Sequence, residues 1–87
     1  MKNFTIDQKI EVINKFRDSS NSVLCIIWEC AIDNSGLNVV SALNGEQIDS
    51  VFYNIQIIID GQQLDYAKQQ DWVDAEKLLA SVHNSEL

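Results

Sequence analysis

Apolar residues fall along the chain in separate groups, and the spacing within each group predicts an element. Ile6, Ile10, Ile13 and Phe16 recur at three- and four-residue steps with Val12 beside them, the period of a helix. Thr5 followed by Gln8 matches a capping box, a hydroxyl acceptor with an amide three residues on. A helix is therefore expected over 5–17. Asp7 near its start and Lys15 and Arg17 near its end complement the helix dipole.

The stretch from Ser22 to Leu43 is different. Val23 to Ile32 is apolar at almost every position and rich in β-branched and aromatic types, which suit a pleated, half-buried surface. Asp33, Asn34, Ser35 and Gly36 follow as a turn cluster, and Leu37 to Leu43 resumes the apolar run. This pattern predicts an antiparallel β-hairpin pairing Ile32 with Leu37, Cys30 with Val39, Trp28 with Ser41 and Ile26 with Leu43. Alternation along the strands gives a core face of Leu24, Ile26, Trp28, Cys30 and Ile32 with Leu37, Val39 and Leu43. The other face carries Val23, Cys25, Ile27, Glu29 and Ala31 with Asn38, Val40 and Ala42.

Asn44 and Gln47 form another capping-box pair, and Ile48, Val51, Phe52, Ile55, Ile58 and Ile59 make a long helical stripe. The same residues also alternate as Val51, Tyr53, Ile55, Ile57 and Ile59 into Asp60-Gly61, so a third strand is the alternative. The length of the stripe and its polar neighbours favour helix, with Gly61 as its stop. Gln62 to Gln70 is polar and reads as a weaker helix. Asp71 and Asp74 open a last one, with Trp72, Ala75, Leu79 and Val82 as its stripe and residues 83–87 as a frayed tail. The expected fold class is thus α+β, one small domain over 1–87. A β-hairpin is covered by three or four helices in the order α-β-β-α-α.

Composition narrows the chemistry. The chain has 87 residues, 46% of them hydrophobic and 22% charged, enough apolar content for a core. The opening MKNFTIDQKIE has no apolar signal-peptide run, and no apolar stretch reaches the roughly 20 residues that span a bilayer. Cys25 and Cys30 would point to opposite faces of one strand, out of reach of a bridge. Packed, reduced thiols and a cytoplasmic location are expected. His83, the single histidine, has no partners in sequence that suggest a base or a metal site. No phosphate-cradling glycine loop, calcium loop or zinc-knuckle spacing is present. No enzyme, cofactor or metal is expected.

Charge changes the picture more. The net charge is −7, and residues 46–87 hold eight acids against two bases. That balance disfavours nucleic acid and anionic membranes and suits a basic site on another protein. Asp60, Asp65, Asp71, Asp74 and Glu76, with Tyr66 as an aromatic anchor, are the expected partner-binding residues. The plainer reading of these acids is a solvated face that keeps the protein from aggregating. Trp28 and Trp72 are expected in the core rather than at an interface, and Tyr53 lies off the apolar stripe of its helix.

Asn44 to Val51, NGEQIDSV, resembles the strand-to-helix start of the barstar family of ribonuclease inhibitors, which implies that a strand ends and a helix begins here. In size, acidity and element order the chain is similar to several small phage anti-defence and bacteriocin immunity proteins, a likeness of class. The expected function is a non-enzymatic inhibitor or immunity-type protein that occludes a basic site on a partner, for instance a nucleic-acid-binding protein. A structural homo-oligomer or homodimer built through the outer face or edge of the hairpin is the alternative. A small-ligand domain would need a sizeable concave apolar pocket.

Overall fold

The computed structural model describes residues 3–38 and 42–85. Helix α1 spans Ile6–Arg17, α2 Ser22–Asn34, α3 Gly45–Asp60 and α4 Gln69–Asn84. Among the described residues there is no strand. The architecture is all-helical, and the expected α+β fold with its hairpin is corrected.

The first half of the supposed hairpin is α2. Leu24, Ile27, Ala31 and Ile32 are buried, at the steps of a helical face. Ile27 and Ala31, assigned above to the outer face, are fully buried. Trp28, placed at the centre of the core face, is only half-buried against the core's edge. The turn cluster is real but ends a helix. Leu37 N–H donates to Ile32 C=O at 3.2 Å and Gly36 N–H to Asp33 C=O at 2.9 Å. This is a Schellman cap with Gly36 in the left-handed region at φ +72°. Of the expected second strand, residues 39–41 lie outside the described residues, and the rest is neither helix nor strand.

Helix α3 resolves the strand-or-helix ambiguity at 51–59 in favour of helix. Its capping box is complete: Gln47 N–H donates to Asn44 Oδ1 and Asn44 N–H to Gln47 Oε1, both at 2.9 Å. Gly61 is its C-cap residue, but the left-handed position is Gln62, at φ +44°. Gln63 N–H to Ile58 C=O and Gln62 N–H to Ile59 C=O complete a second Schellman cap. That stop leaves 61–68 as a loop of turns, not the weaker helix expected there.

Helix α1 has the expected capping box between Thr5 and Gln8. Its buried face is Gln8, Val12, Ile13 and Phe16. Ile6 and Ile10, counted above in its core stripe, are 46% and 37% exposed. Helix α4 buries Trp72, Ala75, Leu79 and Val82, as their spacing predicts.

Helix α1 touches all three other helices, and the most extensive packing is between α2 and α3. Polar ties fix the ends. Gln8, 5% exposed, donates from Nε2 to the carbonyls of Val82 and His83, supplying donors to the C-terminal turn of α4. His83 is no loose tail residue, because its ring packs on Phe4 with centroids 5.0 Å apart. The core cluster runs through all four helices, with Phe16, Ile27, Ile55, Ile58 and Val82 among its most enclosed side chains.

Candidate functional site

The expected partner-binding residues run from Asp60, the last residue of α3, through the α3–α4 loop to the first turns of α4, and the structure divides them in two. Asp71 and Asp74 are half-buried and held by other parts of the chain. Asn21, the N-cap residue of α2, accepts from Val23 N–H at 2.9 Å. Its amide nitrogen donates to Asp71 Oδ1 at 3.1 Å and approaches Asp74 Oδ2 at 3.5 Å. Asp71 Oδ2 also accepts from Lys68 N–H at 2.9 Å. Lysine carries no acceptor, so this is the reverse half of a capping box alone. The Lys68 N–H first, and the Asn21 amide second, hold the Asp71 carboxyl below its ordinary range. Gln70 Nε2 donates to Asp74 Oδ1 at 2.9 Å.

Asp60, Asp65, Glu76 and Tyr66 are exposed, Tyr66 by 62%. The ion pairs among the described residues use other acids: Asp49 with Lys9 at 3.0 Å, Glu11 with Lys15 at 3.3 Å and Asp18 with Arg17 at 2.9 Å. The exposed carboxylates of the second half, Asp49 apart, thus have no cation within ion-pair distance among those residues. Beside α4 lies a shallow open depression of about 410 Å³, lined by buried Trp72 with Val73, Gln62, Gln69, Glu76, Lys77 and Ala80. Its mixed lining and open mouth differ from the concave apolar pocket of a small-ligand site.

Sequence reasoning missed a second surface. Lys9 and Asp49 clamp α1 to α3, with the Lys9 ammonium 5.7 Å from the Phe52 ring centroid. Ile6 and Ile10 flank Lys9 on α1, and Tyr53, 58% exposed, lies one turn beyond Asp49 on α3. The usable signal was the crowding of apolar positions in α1. Ile6 and Ile10 cannot share a narrow buried face with Gln8, Val12 and Phe16.

The environment of the Cys30 thiol works against its activation. Cys25 and Cys30 are free and half-buried on α2. Burial first, then Asp33 and Glu29, push the Cys30 thiol up, away from the nucleophilic thiolate. Among the described residues, no three His, Cys, Asp or Glu side chains converge as metal ligands. No described helix is long and apolar enough to cross a membrane.

No protein-family model, curated protein sequence or solved structure matches the chain. The outer face of a hairpin, on which the homo-oligomer reading stood, is absent among the described residues, and its Ile27 is in the core.

Proposed function

We propose that this chain is a small non-enzymatic binding protein that covers a basic site on another protein, in the manner of an inhibitor or immunity protein. One observation carries the reading. Asp60, Asp65 and Glu76 are exposed carboxylates with no cation within ion-pair distance among the described residues, whereas Asp71 and Asp74 beside them are held by Asn21. Unpaired carboxylates project a field that speeds encounter with a basic partner and disfavours acidic ones. Arginine forks on a partner would pair with them, as they pair with phosphate. The cytoplasm is the expected setting for two thiols left free.

The test uses a partner recovered from the native host. Association rates are measured from low to high salt for the parent and for Asp65→Asn with Glu76→Gln. The reading expects association to slow by about tenfold or more across the series, with dissociation changing less. The double variant should associate more slowly with its melt unchanged. Association that ignores both salt and the double variant would refute acidic docking.

A further inference from the structure

We infer that the α1/α3 seam is a docking surface for a basic amphipathic helix of a protein partner. The inference rests on the reading of a basic partner and moves the principal contact away from the α3–α4 loop.

The geometry begins with two contacts. Phe4 packs on Phe52 with ring centroids 4.8 Å apart, and Lys9 meets Asp49 at 3.0 Å. Going forward along α1 therefore goes backward along α3, so the two helices run antiparallel. Ile6 precedes Lys9 by three residues, and Tyr53 follows Asp49 by four. Both consequently lie toward the same end from the Lys9–Asp49 pair. On α1, the tie to α4 through Gln8 lies to one side of Lys9, and Ile6 and Ile10 lie to the other, beyond buried Ile13. On α3, Asn54 turns toward Ser35 at the end of α2, and Tyr53 lies on the opposite flank. Ile6, Ile10 and Tyr53 are thus exposed on the outer rim of one seam.

Charge specifies the occupant. Glu46, Asp49, Tyr53, Gln56 and Asp60 follow each other at steps of three and four, one continuous stripe of α3. Its acids are exposed and Tyr53 is at its centre. From Glu46 to Asp60 the stripe is about 21 Å long at 1.5 Å per residue, matching roughly four turns of a partner helix. An apolar row on that helix would lie over Ile6, Ile10 and Tyr53, with Lys or Arg flanking it against Glu46 and Asp60 at the two ends of the stripe. A second copy of this chain fits poorly. A two-fold contact through the stripe would set it against its own acids, in a protein of net charge −7.

The probe is a fluorescein-labelled synthetic 14-residue Leu/Lys amphipathic helix, with an oligolysine of equal charge as control. Binding is followed by anisotropy at physiological salt and mapped by amide chemical shifts. The Leu/Lys peptide should bind more tightly than oligolysine and shift amides around Ile10, Asp49 and Tyr53. Ile10→Ser with Tyr53→Ala should weaken it about tenfold or more. Glu46→Gln with Asp60→Asn should weaken it less and flatten its salt dependence. Asp65→Asn with Glu76→Gln should weaken it least of the three. All these sites are exposed, and thermal melts check that each variant folds.

Shifts confined to Asp65–Glu76 would overturn the seam while keeping a basic partner. Oligolysine binding as tightly as the amphipathic helix would overturn the apolar contact. Neither peptide binding at any salt would overturn the seam and the basic-partner reading together. A parent dimer in sedimentation that Tyr53→Ala dissolves would assign the seam to a second copy instead.

Discussion

Helices α2 and α3 are the two most apolar segments of the chain, and they pack on each other more than any other pair. Yet their sequences differ in how plainly they state their structure. Helix α3 interleaves Glu46, Gln47, Asp49, Ser50, Asn54 and Gln56 with its apolar stripe, so the helical period stands out. Helix α2 is interrupted by little except Glu29, and an almost unbroken apolar run has no period to read. Their ends differ in the opposite sense. The left-handed cap position after α2 is Gly36, which adopts it freely, and the one after α3 is Gln62. An apolar contact can accompany the first cap, where Leu37 and Ile32 are the paired positions, but not the second, where Gln63 takes the place of leucine.

The largest expected effect separates the helix from a strand in α2. Ile27 is fully buried and Ile26 half-buried, whereas a hairpin would reverse them. Ile27→Ala should cost about 2–5 kcal/mol, like Ile55→Ala in α3, and Ile26→Ala clearly less. Urea melts of the three variants decide this, and a costlier Ile26→Ala would break the comparison. The caps come next. Gly36→Ala should cost about 1–2 kcal/mol, because a Cβ at that φ crowds the following carbonyl. Gln62→Gly should stabilise by up to about 1 kcal/mol, since it relieves the same strain at the end of α3. Shifts in melting temperature of opposite sign would sharpen the contrast, and a destabilising Gln62→Gly would contradict it.

The N-termini give a smaller effect. Asn44→Ala removes a local cap, worth about 1 kcal/mol. Asn21→Ala should cost more, because it also takes the amide donor from Asp71 and Asp74. Last is a pH effect. Asp71 has its folded pKa below its unfolded value. The stability it contributes is present above the ordinary carboxylate range and is lost as pH falls through its folded pKa. Acid titration of the melt should therefore show a shallower loss for Asp71→Asn than for the parent. Parallel curves would remove Asp71 from the cap.

Much of this was legible in residues. Thr5 with Gln8, Asn44 with Gln47, and the stripes of α3 and α4 state their helices outright. The hairpin was misread because Asp33-Asn34-Ser35-Gly36 serves a strand turn and a helix stop equally well, and only tertiary packing chooses between them. The loop at 61–68 was missed because it depends on Gln62 in a conformation that glutamine seldom adopts. The acids could be found as a group but not sorted. Besides their local partners Lys68 and Gln70, Asp71 and Asp74 differ from Asp65 through Asn21, fifty and more positions earlier in the chain. Local pattern cannot show that tie. The seam was hidden because Ile6 and Ile10 follow the same period as Ile13 and Phe16, and that period does not say how wide the buried face is.

The most direct test of the account is the local contact pattern of residues 22–34 by NMR. As a core helix, this segment should give α-proton to amide contacts between residues three apart, for example Leu24 to Ile27 and Ile27 to Cys30, with helical carbon shifts ending at Ser35. Contacts across a ladder between Cys30 and Val39, or between Trp28 and Ser41, with extended-chain shifts from Val23 onward, would contradict the four-helix bundle and every surface derived from it.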